Sequence, residues 1–245
     1  MLFLINLDPA VERQQRMMRQ LAAANLEAHR VEVDLPEHDG EELRDQLAMR
    51  FPRLQFDLRR LGRAEARCWA SHLTAWLKLL ESCEPAATVI EDDVLLSQAF
   101  REALRTLHAC NSFDVVYLGP TGSGVAGWRR QAAEELTVHA TRGRLLHHRA
   151  YAIRRDFAER FFAQRKAVVG IPFDHFLAGR SDWAKPSIGV LHPTVIWSDR
   201  RLARQSTFRR KRNRWLWSLL GGWAPGRTLT VEGDRLSHKI QQTLT

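Results

Sequence analysis

Apolar positions along this chain fall in short blocks separated by longer stretches of helical period. LFLINL (residues 2–7) is nearly continuous in apolar residues, broken by Asn6 and bounded by Asp8-Pro9, which predicts a strand buried in a parallel sheet. Residues 10–25 place Val11, Met17/Met18 and Leu21 on one side of a helix, with Asp8 suited to its cap and Pro9 to its first turn. HRVEV (29–33) alternates as a second strand and completes a β-α-β opening. Residues 35–62, punctuated by Pro36, Gly40, Pro52 and Gly62, predict a long loop with short helical pieces over the site. Residues 64–81 put Trp69, Leu73, Trp76/Leu77 and Leu80 on one buried helical face, closed off by Pro85. A strand at 87–91, a helix at 97–109 with Ser97 as cap, a strand at 113–119 and a loop at 120–127 follow. LLHHRAYAIRR (145–155) reads as a strand passing into a helix, and VVGIPFDHFL (168–177) and VLHPTVIW (190–197) are the last apolar blocks. There is no internal repeat, and the alternation predicts an α/β fold with one large domain.

Charge adds one thing to this picture. The chain has 245 residues and a net charge of +9, which favours an anionic partner. The excess is local: Arg200 to Arg214 holds eight Lys or Arg and no acid. Cys68, Cys83 and Cys110 are odd in number and scattered, so they predict reduced thiols in a cytosolic setting rather than a disulfide framework. The N-terminus lacks the pattern of a signal peptide, and no apolar run is long enough to span a bilayer.

Against that basic background, TVIEDDVLLS (88–97) crowds Glu91, Asp92 and Asp93 at the end of a buried strand. Ligands of α/β sheets bind beyond the carboxyl ends of strands. An extended backbone would send Glu91 and Asp93 one way and Asp92 the other. Two neighbouring carboxylates repel, and a hard divalent cation such as Mg²⁺ or Mn²⁺ relieves that repulsion while keeping positions open for diphosphate oxygens. The competing reading is a solvated turn or an acidic helix N-terminus.

The helix ASHLTAWLKLLE followed by VIEDDVLLS resembles the LPS/LOS glycosyltransferases of glycosyltransferase family 25. Glu65, Cys68, Ser71, His72 and the acid trio carry the resemblance, with weaker support from Ile5-Asn6-Leu7, Glu12-Arg13, Tyr117–Gly119, Ala150–Ile153, Pro172–Asp174, Pro193 and Ser206. It covers about residues 1–208 and implies a GT-A-like, Rossmann-type single domain with a mostly parallel central sheet, followed by a basic extension at 209–245. It also implies transfer of a sugar, galactose foremost, from a UDP-sugar to a lipopolysaccharide or glycan hydroxyl, with inversion. In that picture Asp93 holds a metal bridging the diphosphate, and Glu91 or Asp92 holds the ribose or sugar. The sequence departs from the family at HHR (147–149), where a Gly is usual, and in the longer DLPEHDG (34–40).

The chemistry then asks for further groups. An acceptor hydroxyl must lose a proton, and Asp174, framed by apolar residues, is the candidate base; it would equally suit a helix cap. Ser71 and His72 are candidates to hydrogen-bond the nucleotide or acceptor, though His72 also suits a satisfied core position. Glu65, Cys68 and His72 share a helical face, but a zinc site would need a further ligand or an open water position. His192 is a candidate second metal ligand beside Glu91 and Asp93. Asn6 and Arg13 are candidate contacts to uridine or its ribose; an exposed helix arginine is the plainer reading of Arg13.

RRKRNRWLWSLLGGWAPGR (209–227) combines six basic residues with Trp215, Trp217 and Trp223. Cations with clustered Trp and Leu suit an anionic membrane surface, which predicts a peripheral protein on the cytoplasmic face of the inner membrane and no nucleic-acid partner. Two other readings compete with the glycosyltransferase: a nucleotidyltransferase or phosphohydrolase using the acids for phosphate chemistry, and a non-catalytic basic protein binding RNA or membrane.

Overall fold

A computed structural model describes residues 1–6, 10–36, 38–119, 136–140, 149–164, 167–181 and 183–199. Leu7, the Asp8-Pro9 cap, the 120–127 loop, residues 145–148, Ser206 and the basic segment 209–245 lie outside them. The elements run β1 (Leu2–Ile5), α1 (Val11–Ala23), β2 (His29–Val31), α2 (Gly40–Arg50), β3 (Leu54–Phe56), α3 (Leu58–Leu61), α4 (Arg63–Glu81) and β4 (Ala86–Glu91). They continue with β5 (Val94–Leu96), α5 (Phe100–Ala109), β6 (Val115–Tyr117), β7 (Thr137–Ala140), β8 (Ala150–Arg154) and α6 (Arg155–Ala163). The last are β9 (Ala167–Val169), the single turn α7 (Phe173–His175) that runs into a π-wound segment Phe176–Arg180, β10 (Ile188–His192) and β11 (Ile196–Ser198).

Seven strands form one sheet in the order β2-β1-β4-β8-β6-β10-β7. Five share one direction; β8 and β7 oppose them. Because the reversed β8 sits between β4 and β6, the pairings divide into three parallel and three antiparallel. Period-two alternation sends side chains to opposite faces and so builds two cores. Phe3, Val89 and Tyr151 point to the side covered by α4 and α6, while Leu4, Ile90 and Ala152 point to the side covered by α1 and α5. The α4 side is the more aromatic, with Trp69, Trp76, Phe161, Phe173 and Phe176 buried together. Arg155 fastens the end of α4 by donating to the carbonyls of Leu79, Leu80, Ser82 and Glu84.

Two local expectations are corrected. The stretch 35–62 is no long loop: α2 alone is 11 residues, capped by Asp39, which accepts from the amides of Glu41 at 2.8 Å and Glu42 at 3.0 Å. Only Leu43 and Leu47 of α2 are buried, so its apolar stripe is one residue wide and its period is hard to see. Ser97 does not cap α5 with its side chain; its carbonyl accepts from Phe100 and its hydroxyl has no partner. No helix among the described residues is long and apolar enough to cross a membrane.

Candidate functional site

The register explains why the acids meet other chemistry. β1 and β4 run parallel with Ile5 opposite Glu91, so Asn6 and Asp92 both lie just beyond the strand ends. β8 enters from the opposite direction with Ala150 opposite Ile90, which delivers Arg149 to the same edge. Glu91 is tied there by its amide, which donates to the Arg149 carbonyl at 2.7 Å.

Beyond Glu91 the chain turns at Asp92-Asp93 before β5. The expected strand-like alternation is therefore lost, and each carboxylate takes its own partner. Asp92 accepts from the Asn6 amide at 2.7 Å and from Arg13 at 3.3 Å. Asn6 also donates to the Ala10 carbonyl, while its Oδ1 is buried without a partner. Asp93 Oδ2 pairs with Arg149 at 3.2 Å, and its Oδ1 is likewise buried and unpartnered. The Asp93 carbonyl accepts from the amide of Asp199, whose carboxylate is paired with Arg16 on α1. The Glu91 carboxylate lies 3.6 Å from His72 Nε2.

Electrostatics set this corner apart. Burial pushes Glu91 up to about 7; Arg149 and Arg13 oppose the shift, and the charges of Asp92 and Asp174 add to it. Asp93 is also pushed up to about 7 by burial and by Glu91, against the pull of Arg149. Burial raises the Cys68 thiol well above its ordinary value, and so do the charges of Glu91, Glu65 and Asp174, which places those acids around one point. Two carboxyls near half-protonation at neutral pH hold an environment that favours positive charge or hydrogen-bond donors from a ligand.

The remaining expected residues divide. His72 is buried and stacked on Phe173 with ring centroids 4.0 Å apart, and burial lowers it to about 3, so it is neutral. Ser71 is buried, and its hydroxyl donates to the Arg67 carbonyl of its own helix at 3.1 Å. Asp174 does not cap α7, where no side chain caps; it stays partly exposed, close enough to raise Glu91. The grouping of Glu91, Asp93 and His192 as metal ligands is corrected. Among the described residues no three His, Cys, Asp or Glu are gathered to hold a metal. β8 and β6 separate β10 from β4, and the His192 ring lies beside His139, 6.1 Å between centroids. The same holds for Glu65, Cys68 and His72. Sequence reasoning missed Arg149 and Tyr151 as parts of this corner; the polar RAY run opening an apolar block was the available signal.

Comparison with known proteins finds similar sequences over part of the chain. Residues 1–121, which hold the strand, helix and acid trio, match the sequence profile of Glycosyltransferase family 25 (LPS biosynthesis protein). A glycosyltransferase 25 family member of Drosophila pseudoobscura pseudoobscura is 25% identical over 208 residues, covering 80% of this chain and 31% of its own length. Human procollagen galactosyltransferase 2 is 29% identical over 126 residues, covering 48% of this chain and 20% of its own. The chain thus spans about a third or less of the curated relatives it matches. Among solved structures, the inositol-1-phosphate CTP transferase of T. maritima overlaps at a TM-score of 0.32 with 10% identity, over 77% of this chain and 63% of that one. The curated relatives bear glycosyltransferase names. Over residues 1–121 the chain is similar to glycosyltransferase family 25.

Proposed function

We propose that this protein transfers a sugar, galactose foremost, from a UDP-sugar to a hydroxyl of a lipopolysaccharide, lipooligosaccharide or related glycan, with inversion, on a GT-A-like fold. The observation that carries the reading is the turn at Asp92-Asp93: three carboxylates at a strand end, faced by Arg13 and Arg149, with acceptor oxygens on Asn6 and Asp93 left unpartnered. A galactosyltransferase name among the relatives supports the donor sugar.

The family implies a divalent cation, and the residues fit one in part. The unpartnered Asp93 Oδ1 is an oxygen donor of the right kind, and Mg²⁺ or Mn²⁺ needs only one or two carboxylates when substrate phosphates complete its shell. Asp93, with Glu91 beside it, would hold the ion, which when bound supplies positive charge against the departing diphosphate. The protein's own groups do the rest. Arg149 turns from Asp93 toward the diphosphate. Asn6, oriented by Asp92 and the Ala10 carbonyl, offers Oδ1 to the nucleoside, with Arg13 alongside. Glu91 accepts from a sugar hydroxyl, and Asp174, partly exposed, takes the proton of the acceptor hydroxyl. The basic, Trp-rich segment 209–245 brings the enzyme to an anionic membrane surface on the cytoplasmic face, where a glycolipid acceptor would lie.

A screen of UDP-sugars with and without EDTA tests this reading. The expected result is cation-dependent release of UDP with sugar transferred to an added glycan and no inorganic phosphate. Release of inorganic phosphate, or of no nucleotide from any donor, would overturn it.

A further inference from the structure

Behind the acid corner, a chain of buried polar groups runs from the aromatic core to Glu91. Trp76 Nε1 donates to the Tyr151 hydroxyl at 3.0 Å, and that hydroxyl lies 2.9 Å from His72 Nδ1. All three residues are at most 1% exposed. The other ring nitrogen of His72, Nε2, faces the Glu91 carboxylate at 3.6 Å.

The donors and acceptors of these groups favour one arrangement. Indole can only donate, so the Tyr151 oxygen already accepts from Trp76 and has one proton to give. The 2.9 Å contact directs that proton to Nδ1. The reverse tautomer would make the tyrosine oxygen accept from both Trp76 and His72 and turn its own proton away from Nδ1. With Nδ1 accepting, the ring carries its proton on Nε2, the nitrogen that faces Glu91. Parallel stacking on Phe173, 8° between planes, stops the ring from tilting away. Phe173 also precedes Asp174, so one imidazole borders both acid-bearing elements.

We infer that Trp76 and Tyr151 hold His72 as its Nε2–H tautomer, and that His72 thereby acts as a positioning residue, orienting the Glu91 carboxylate without touching substrate itself. The role at Glu91 rests on the glycosyltransferase reading above; the tautomer does not. At 3.6 Å the pair lies beyond hydrogen-bond distance, so the role requires the contact to shorten when Glu91 engages a ligand.

Heteronuclear NMR of the histidine ring nitrogens in the unsubstituted protein, assigned by difference with His72→Gln, reads the tautomer directly. The expected spectrum has Nε2 protonated and Nδ1 bare; a protonated Nδ1 would overturn the proposal. Tyr151→Phe removes the acceptor's partner and is expected to mix the tautomers. It should lower kcat for transfer about tenfold with little change in donor KM. His72→Gln, which keeps an N–H donor near Nε2, should retain more kcat than His72→Ala. A kcat unchanged in Tyr151→Phe, in protein whose NMR shows mixed tautomers, would sink the positioning role. An unsubstituted protein with the expected tautomer but no transfer activity would instead sink the glycosyltransferase reading, and with it the role at Glu91.

Discussion

The aromatic side of α4 and the acid corner that its first half borders are close in space and built on opposite terms. On the aromatic side, Trp69 packs against Phe173 and Phe176 with centroids 4.9 Å away in each case, and its indole donates to the Ile171 carbonyl at 2.8 Å. Trp76 packs on Phe161 at 5.0 Å and donates to Tyr151. Each bulky ring there has its polar handle paired. At the corner, Asn6 and Asp93 keep unpartnered oxygens, and two carboxyls are pushed to about 7. One region has its polar groups paired within the chain; the other keeps acceptor oxygens unpartnered, as the proposed donor site requires. The stability of the first is what tolerates the unsatisfied state of the second.

Breaking the paired region should have the largest effect. Trp76→Ala removes a fully buried ring and the donor to Tyr151 and should cost about 3–5 kcal/mol in urea denaturation. Activity should fall with the folded fraction and somewhat further, because the Tyr151 hydroxyl that meets His72 loses its donor. Asp93→Asn should do the reverse. Transfer is expected to drop by about 100-fold or more, while thermal stability at pH 8 holds or rises. The sign follows from the raised value of Asp93: its charge is disfavoured in the folded protein more than Arg149 repays, and the amide removes that charge.

A pH series sharpens the same contrast with a smaller effect. Glu91 has an ordinary value of 4.5 and stands at about 7 in the fold, so between those pH values the folded chain binds more protons than the unfolded one. Its contribution is therefore fully present below pH 4.5 and is lost as pH rises through 7. His72, lowered to about 3 from 6.5, has the opposite slope: the unfolded chain takes up the proton, and stability is lost as pH falls below 6.5. In EDTA, Glu91→Gln should lose stability less steeply than the parent between pH 5 and 8. A parallel pair of curves would contradict the shift at Glu91. Least of all, Met49→Gln, on a residue 77% exposed and remote from both regions, should move stability by no more than about 0.5 kcal/mol.

The parts of this contrast that sequence could show are those coded by local pattern. The stripe Trp69, Leu73 and Trp76 marks α4, and the change from Val89-Ile90 to Glu91-Asp92-Asp93 marks a strand end with chemistry beyond it. Pairing is not local. Nothing in RAY announces that β8 would lie reversed against β4 and carry Arg149 to Asp93 across more than fifty residues. For the same reason Tyr151 read as an ordinary strand aromatic, although its hydroxyl closes the chain from Trp76 to His72. The turn at Asp92-Asp93 also escaped the alternation rule, because two acids between short apolar runs read equally as strand and as turn. His192 misled through its type: a histidine before a proline near the C-terminal side of a strand suits a ligand, yet two strands lie between its own and β4.

Calorimetric titration of UDP into the protein in the presence of Mn²⁺, repeated with Asp93→Asn, bears most directly on the claim that the β4 corner is the donor site. UDP should bind the parent saturably and fail to bind the Asn variant, whose fold is intact by circular dichroism. Equal binding by both proteins would contradict it.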